Sequence, residues 1–459
     1  MHHENDETIL IDMTIIELMK KVPTAAAALA LTTTAAAATA NDTTAVAAPY
    51  DSFSKYRVGG YGEMVAAWKD YGTNRFFGGQ YGNSKTNRST IAIPRFVAAF
   101  DYKLSKKWIV GAEIEFESGG TGSAYELENT ENGEYETELE KGGEVAIEQF
   151  HITRLITRAL NVRAGHMIVP VGLTNAHHEP NLFFGTVRPE GEATLLPSTW
   201  HETGLELFGT IGKGLATFDY EAMVVAGLNA NGFDRNNWAG GARQGIFEED
   251  NFTSPGYAVR LDWRGLKGLR LGGSFYFCNN IGANSDKKQT YDGLGGIPLR
   301  IWTFDGQYSN RCVTARANVL LGNLGNTDAV NSRNGKLSNN SPYSRLTPVA
   351  KRAVSYGGEI GINLRNLLNI NHMPTIIPFA RYEYYNPQQE VTGNYSADRR
   401  LQTSMWVAGV NWRPLPNLIV KADYTTRQIG TSKVFGKGTY NSENEFAVGV
   451  AFVGWFVKK

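Results

Sequence analysis

Residues 171–202 concentrate side chains that could bind or steer a polar ligand. The imidazole, carboxylate, guanidinium and indole groups of this segment belong to His177, His178, Glu179, Arg188, Glu190, Trp200 and Glu202. A metal site made by residues 177–179 with His201 is conceivable, because imidazole and carboxylate are natural zinc ligands. The spacing is not His-Glu-x-x-His, however, and Pro180 follows at once, so no helix carries these residues. We therefore predict no metal and no cofactor, and expect Glu179 to fix the loop through hydrogen bonds.

Other kinds of chemistry lack their sequence signatures. Neither a Gly-x-Ser-x-Gly motif nor a Gly-x(4)-Gly-Lys-Ser/Thr motif occurs, so no enzyme is predicted. The 459 residues contain 45 basic and 45 acidic side chains, a balance that excludes a strongly basic nucleic-acid binder. Two cysteines exclude a small disulfide-stapled domain. Because Cys278 and Cys312 fall at opposite ends of predicted strands, we expect two free thiols.

The N-terminal residues predict a targeting segment. A basic pair precedes an Ala/Leu-rich run over 22–38, and residues 38–40 (Ala-Thr-Ala) supply the small-x-small cleavage pattern of a secretory signal peptide. Residues 1–18 fit no targeting pattern, and a start at Met13 or Met19 is an open alternative. The predicted regions are a signal peptide over 1–40, a short periplasmic segment over 41–54 and one barrel over 55–459.

Alternation of apolar and polar residues dominates the rest of the chain. No run of eighteen apolar residues follows residue 40, which excludes helical membrane spans. Over 257–264, the odd positions are apolar and three of the even ones are Arg260, Asp262 and Arg264. Successive side chains of a strand point to opposite faces, so such a segment has one apolar and one polar wall. Sixteen such segments start near residues 56, 91, 107, 145, 160, 203, 214, 255, 268, 298, 311, 353, 374, 402, 416 and 442.

The connections between these segments alternate in length. The long ones cover 70–90, 119–144, 171–202, 229–254, 280–297, 323–352, 387–401 and 429–441, and shorter turns lie between them. An even strand number with this alternation is the layout of an outer-membrane barrel, and a soluble β-sandwich would show neither feature. We therefore predict an all-β, transmembrane antiparallel β-barrel of sixteen strands, with long extracellular loops and short periplasmic turns. The third long loop, 171–202, is expected to fold into the lumen.

The aromatic residues fit the same interpretation. Seven of the nine tryptophans lie in predicted strands or at their ends. Such side chains favour a membrane interface, because they combine an apolar body with a polar edge.

Inward-pointing residues would line the lumen with charge. The predicted acidic residues are Glu113, Glu115 and Glu117 on the third strand, with Asp219 and Glu221 on the seventh. Opposed acidic and basic walls create a transverse field, and rings of Arg and Lys favour anions. The alternative, that these charges pair with one another and only keep a pore wet, stays open. The predicted basic residues are Arg163, Arg260, Arg264, Arg316, Arg381, Lys421 and Arg427.

The central stretch of the chain carries a resemblance in short motifs. They are Val169-Pro170-Val171-Gly172, His178-Glu179-Pro180, Arg188-Pro189 and Pro197-Ser198-Thr199-Trp200-His201-Glu202. Over 162–209 the chain resembles the phosphate-selective porin (O and P) family of Gram-negative bacteria. The resemblance implies a sixteen-stranded, trimeric, passive porin. Phosphate-specific members carry ladders of Arg and Lys, whereas Arg188 is the one base of this loop, so a general pore for small hydrophilic solutes is predicted.

Two classes of function remain. The first is a passive outer-membrane porin for small hydrophilic solutes, narrowed sterically by loop 171–202, with weak anion or phosphate selectivity left open. Its expected partners are the lipid bilayer and lipopolysaccharide, the outer-membrane assembly machinery and two further copies in a homotrimer. The second class is a plugged surface barrel whose long loops, such as 229–254 and 323–352, bind a partner. The acidic run over 126–140 is interpreted as a solvated extracellular loop, with cation binding beside lipopolysaccharide as its alternative.

Overall fold

The structure is a computed structural model that describes most of the chain from residue 50 onward. The predicted signal peptide, 1–40, and most of the predicted segment 41–54 lie outside the described residues. Among the residues described, no helix is long and apolar enough to cross a membrane. The described residues are 50, 52–70, 87–118, 123–129, 135–141, 144–197, 199–244, 249–285, 291–334, 348–430 and 441–459.

Strands dominate this part of the chain, and the helices are short. The strands are β1 (Tyr56–Asp70), β2 (Asn87–Ser105), β3 (Trp108–Glu117), β4 (Ser123–Asn129), β5 (Tyr135–Lys141), β6 (Glu144–Leu155), β7 (Asn161–Ile168), β8 (His201–Ile211), β9 (Phe218–Val225), β10 (Gly256–Leu266), β11 (Leu269–Cys278), β12 (Leu299–Ser309), β13 (Val313–Leu324), β14 (Arg352–Ile362), β15 (Thr375–Glu390), β16 (Thr403–Leu415), β17 (Leu418–Ile429) and β18 (Asn441–Lys458). The helices are α1 (Leu173–Ala176), α2 (Glu190–Leu195), α3 (Thr327–Asn334) and α4 (Leu364–Leu367), with 3-10 turns at Gly214–Ala216, Ala230–Gly232, Ile281–Asn284 and Arg399–Leu401.

All strands except β4 and β5 form one closed barrel. Each pairs antiparallel with its neighbours, and β1 closes the sheet against β18. The prediction of a closed antiparallel barrel of sixteen strands is confirmed. The predicted starts lie within a few residues of the observed ones; the predicted start at 214, for example, is found at Phe218. The end of the barrel that carries the short connections is called the turn end below, and the other end the loop end.

One connection differs from the prediction. The acidic run predicted as a solvated loop forms a separate hairpin, in which β4 and β5 pair only with each other. Glutamates occupy opposed positions in it, with Glu126 across from Glu138 and Glu128 across from Glu136. Tyr125 and Leu127 alternate with these glutamates in sequence, and this is the same period of two that marks the wall strands. The pattern therefore supports a strand even where the composition is acidic.

The barrel wall reverses the usual distribution of polarity. On β10 the outward Val259 is 50% exposed, whereas the inward Arg260 is 2% exposed. Trp406 and Trp412 both point outward on β16, six residues or about 20 Å of strand apart, as a belt at each rim of an apolar band requires. Other exposed apolar residues on the wall include Met64, Trp68, Ile91, Phe96, Trp108, Ile114, Phe150, Leu205, Leu261, Trp302, Phe304, Tyr424 and Phe446.

Apolar packing inside the barrel forms three clusters among the described residues, and the two smaller ones lie on β15–β16 and at the turn end. The largest cluster lies toward the loop end and joins inward residues of β9–β13 to Trp200, Phe233 and Trp238. At the turn end, Tyr50 and Phe53 pack on Ile109, so the residues just before β1 are tucked against the wall. The long connections thus fold over one side of the barrel mouth.

The two cysteines are free, as predicted. Cys278 is buried at the loop end of β11, whereas Cys312 directly precedes β13 at the turn end. Their positions at opposite ends of the barrel rule out a bond between them, because a disulfide needs Cα atoms within about 7 Å.

Candidate constriction inside the barrel

The segment between β7 and β8, here called the constriction segment (171–202), crosses the barrel interior. Its first anchor is Gly172, whose N–H lies 3.3 Å from both Ser274 Oγ and Thr303 Oγ1, on β11 and β12. The carbonyl of Gly172 accepts a hydrogen bond of 3.3 Å from Arg260. Gly172 has a φ of +90°, and a Cβ there would lie 2.1 Å from the Glu192 carboxylate. Only glycine fits this turn without strain.

Glu192 ties the outgoing half of the segment to the returning half. Its buried carboxylate accepts the backbone N–H of Leu173 at 3.0 Å and that of Asn175 at 2.7 Å. Asn318 on β13 donates a third hydrogen bond of 2.9 Å to it. Burial raises the pKa of Glu192 to about 7, although these hydrogen bonds act in the opposite direction. Glu192 therefore has the loop-fixing role that the sequence assigned to Glu179, for which the described residues show no side-chain hydrogen bond.

His178 holds the segment against the opposite wall. Its Nε2 lies 3.0 Å from Glu148 on β6, and its Nδ1 lies 3.0 Å from the carbonyl of Asn175. Arg95 on β2 donates a hydrogen bond of 2.8 Å to the carbonyl of His178, and Tyr61 on β1 contacts the ring edge-on. Burial alone would lower the pKa of His178, but the ion pair with Glu148 outweighs it and raises the pKa. Because both ring nitrogens face oxygen acceptors, the imidazolium form fits this site.

A β-bulge places Glu148 for this contact. Ile114 of β3 pairs with Ile147, but Glu113 pairs with Gln149, so Glu148 is the extra residue on β6. Such an extra residue re-aims a side chain, and here it lets both Glu148 and Gln149 point inward. Gln149 then donates a hydrogen bond of 2.7 Å to Glu113.

The ion pair between His178 and Glu148 predicts that the current fluctuations of the channel depend on pH. The pKa of His178 is raised in the folded protein, so the stabilisation from its ion pair with Glu148 is complete below the usual histidine pKa of 6.5. This stabilisation is lost as the pH rises through the raised pKa. We expect current fluctuations of a single channel to increase on that alkaline side, as the segment loosens from Glu148, Arg95 and Tyr61.

His178→Gln should show, at every pH, the increased current fluctuations that the wild type shows at alkaline pH. The same change at the exposed His372 of the turn end should leave the wild-type profile intact. A wild-type record whose fluctuations do not depend on pH would contradict this role for His178.

The middle of the segment runs along strands β14–β17. Lys421 donates to the carbonyls of Phe183 and Gly185, at 3.1 and 2.8 Å. Arg381 donates to the carbonyl of Val187 at 3.0 Å, and Glu190 forms an ion pair with Arg427. Lys421 and Arg381 therefore hold the backbone of the segment, and Arg427 holds its Glu190 side chain. These basic residues do not face an open lumen.

The returning half ends in the apolar cluster at the loop end. Trp200 is fully buried, packs edge-on against Tyr276 and donates from Nε1 to Glu202 at 3.0 Å. Asn175 accepts the backbone N–H of Trp200 at 2.6 Å, which joins the two ends of the segment. Trp200 and Glu202, both predicted at the constriction, lie in this packed interior. Arg188, by contrast, is only partly buried and donates to Thr199 at 3.2 Å.

The predicted basic wall is largely neutralised by carboxylates. Arg163 pairs with Glu206 at 2.7 Å, and Arg264 pairs with Asp219 at 2.6 Å. Within the residues described, each of the other predicted arginines is also in an ion pair. These pairs are Arg260 with Asp262 and Asp305, Arg316 with Glu359, Arg381 with Glu383, and Arg427 with Glu190 and Glu443.

The predicted acidic wall carries a smaller share of such pairs. Glu115 is buried and lies 3.8 Å from Arg95, which Glu63 also approaches at 3.4 Å. Glu113 lies two residues before Glu115 on β3. Among the described residues, it accepts only the hydrogen bond from Gln149.

The His/Glu group does not converge on one point. His177 contacts Arg270 at 2.9 Å, His178 contacts Glu148, and His201 contacts His166 and Arg243. Burial, and then the nearby Arg270, lowers the pKa of His177 well below its usual value. Nowhere in the described part of the chain do three or more His, Cys, Asp or Glu residues lie close enough to hold a metal ion.

No family model matches the chain. An uncharacterized protein of Aquifex aeolicus (strain VF5) is 25% identical over 374 residues, covering 80% of this chain and 74% of that protein. Among solved structures, Salmonella typhi OmpF in complex with daunomycin has a TM-score of 0.51 at 12% identity, covering 86% of this chain and 97% of that chain. The anion-selective porin from Comamonas acidovorans has a TM-score of 0.48 at 8% identity, covering 87% of this chain and 99% of that one. The likeness to OmpF shows the fold, and the resemblance to the phosphate-selective porin (O and P) family stays a prediction.

Proposed function

We propose that this protein is a passive outer-membrane porin for small hydrophilic solutes. The observation that carries the proposal is the reversed polarity of a closed barrel, with apolar residues outside and charged residues inside. A wall of this kind suits a lipid bilayer, since each strand of a closed sheet pairs its backbone with both neighbouring strands. Sixteen strands enclose a lumen wide enough for an aqueous channel. No catalytic role is proposed.

The constriction segment is proposed to set the size limit of the passage. Its contacts reach β2 and β6 on one side and β13–β17 on the other, so it spans the interior. His177, His178, Glu179, Arg188 and Glu190 are the proposed contacts for a passing solute. Trp200 and Glu202 are better suited to anchoring, because both are almost completely buried.

Strong phosphate selectivity has little support in this arrangement. A phosphate ladder needs guanidinium and ammonium groups that are free to bind an anion. The lumen arginines predicted from the sequence are instead paired with carboxylates, and Lys421 is bonded to two carbonyls of the segment. We therefore propose weak ion selectivity.

Location and assembly complete the proposal. Export through a signal peptide over 1–40, insertion by the outer-membrane assembly machinery, contact with lipopolysaccharide and a homotrimer are expected from the sequence. The exposed aromatic rims, such as Trp406 and Trp412 on β16, support placement in a membrane.

Recording from single channels tests the function. Purified protein in a planar bilayer should give stable conductance steps, with a small reversal potential in a KCl gradient and no block by added phosphate. Block by phosphate would favour the phosphate-selective alternative. Absence of any conductance from folded protein would remove the porin proposal.

A plugged surface barrel is the second candidate. The observation in its favour is the apolar cluster at the loop end, where buried residues from 228–242, 281–285, 291–299 and the regions around 330 and 350 pack together over β9–β13. A cap of this kind could close the mouth and present loops to a partner. The same recording separates the two, because a plugged barrel would fold but not conduct.

A further inference from the structure

A charged cavity lies between the constriction segment and the turn end of the barrel. Its volume is about 300 Å³, enough for a solute of several heavy atoms. Residues 176–179 of the segment form one side, and strands β3, β6, β7 and β9–β11 form the other. We call it the turn-end cavity, and its charged lining includes Glu113, Arg163, Glu179, Glu221, Arg260 and Arg264.

Two bases of the turn-end cavity, Arg163 and Arg260, are already held by several hydrogen bonds. Arg163 contacts Glu206, Thr153 and the hydroxyl of Tyr50. Four of the five N–H groups of Arg260 are bonded to Asp262, Asp305 and the carbonyl of Gly172. Both guanidinium charges are therefore largely balanced, that of Arg163 by Glu206 and that of Arg260 by two aspartates.

Two further arginines, Arg264 on β10 and Arg270 on β11, are less completely engaged. Arg264 uses one nitrogen for Asp219 and keeps part of its side chain exposed to the cavity. Arg270, more than nine-tenths buried, bonds His177 and Asp305 but has an Nε with no hydrogen-bond partner among the described residues. Arg264 could therefore receive a carboxylate of a bound solute.

Three carboxylates of the cavity are left without an ion pair by the residues that the structure describes. They are Glu113 on β3, Glu179 on the segment and Glu221 on β9. Four strand-to-strand steps separate β3 from β9 around the barrel, so the carboxylates surround the cavity rather than forming one patch. Glu221 stands directly across from Arg260, but the hydrogen bonds of Arg260 run to Asp262, Asp305 and the carbonyl of Gly172 instead. Carboxylate acceptors that form no ion pair with the described residues therefore remain in the turn-end cavity.

We propose that the turn-end cavity binds small solutes that carry an ammonium group, with Glu113, Glu179 and Glu221 as its acceptors. A carboxylate on the same solute would face Arg264, so amino-acid-like zwitterions fit as well as simple organic cations. The inference rests on the proposed channel function and assigns its preferred class of solute. It also opposes the anion preference that the basic residues alone would suggest.

Interruption of single-channel current by added solutes tests the proposal. Spermidine and lysine should produce resolved interruptions at concentrations where phosphate and glycerol produce none. In the double variant Glu113→Gln, Glu221→Gln, we expect the association constant for spermidine to fall roughly tenfold or more, since hydrogen bonds to charged groups contribute about 1.5–3 kcal/mol each. Glu249→Gln, at an exposed position outside the cavity, is the matched control and should bind as wild type does.

The outcomes separate this inference from the proposed function. A wild-type protein that does not conduct would overturn the porin proposal. A conducting protein that phosphate interrupts as readily as spermidine, or a double variant that binds spermidine unchanged, would overturn the inference alone. Heat-dependent migration in gel electrophoresis establishes that each variant is folded before it is recorded.

Discussion

Replacing Glu192 by leucine should release the constriction segment and raise the conductance of the channel. The carboxylate of Glu192 accepts the N–H groups of Leu173 and Asn175 and the side-chain amide of Asn318. Leucine offers no acceptor, so two buried backbone N–H groups would lose their partners. An unsatisfied buried donor costs about 1–3 kcal/mol, which makes a loss of about 3 kcal/mol a modest expectation for the pair.

A loss of that size has a large effect on a loop equilibrium. About 3 kcal/mol corresponds to a roughly hundredfold increase in the population of the detached segment. The barrel should persist, because its strands are joined by an uninterrupted ladder that does not involve Glu192. We therefore expect larger and noisier conductance steps with near-normal heat stability of the barrel.

Asn318→Ala provides a graded control for this variant. It removes one donor and leaves both backbone hydrogen bonds to Glu192 in place. Its conductance should stay closer to that of the wild type. If Glu192→Leu conducts as the wild type does while the two backbone amides exchange faster with solvent, the segment does not limit the passage.

The strands were predictable from the sequence because their signal is local. In β10, a period of two separates Val259 and Leu261 from Arg260 and Asp262, and the same residues separate by exposure in the structure. Glu148 was not predictable in this way. The bulge on β6 inserts one residue into the alternation, and its trace in the sequence is only that two polar residues, Glu148 and Gln149, separate the outward Ile147 and Phe150; a strict period of two would place that pair on opposite faces.

Ion pairing in the lumen depends on register, which alternation alone does not give. Arg163 stands directly opposite Glu206 on β8, and Arg316 stands opposite Glu359 on β14. Sequence periodicity predicts that such residues point inward, but a shift of one residue would give each a different neighbour. The sequence therefore predicted the basic residues and left their neutralisation open.

The anchoring of the constriction segment is still further from local sequence information. Glu192 bonds residues 17 and 19 positions earlier and one 126 positions later. Glu179 and Glu192 are equally plausible loop acceptors by composition, and only the path of the chain distinguishes them. The same holds for Trp200, which the folded loops bury completely.

Trp238→Ala should have the largest effect on the cap at the loop end. The ring of Trp238 is fully buried, packs edge-on against Phe233 and donates from Nε1 to the carbonyl of Ala350 at 3.1 Å. It also lies over Gly322 of β13, where an added Cβ would meet the ring at 2.2 Å. Truncating a buried tryptophan costs about 3–5 kcal/mol. Trp406→Ala, at an outward position that is 62% exposed, should cost far less by the same denaturant titration in detergent.

Conductance of the Trp238 variant distinguishes a partial cap from a complete plug. If the cap covers only the side of the mouth above β9–β13, the wild-type channel conducts and Trp238→Ala conducts more. If the cap closes the mouth, the wild type is silent and the variant opens it. Gly322→Val should act in the same direction, because it displaces the ring without removing it, and agreement between the two variants would assign the effect to the cap. A destabilised Trp238 variant whose conductance equals that of the wild type would show that the cap stands clear of the passage, and the constriction segment would then be the sole narrowing element among the described residues.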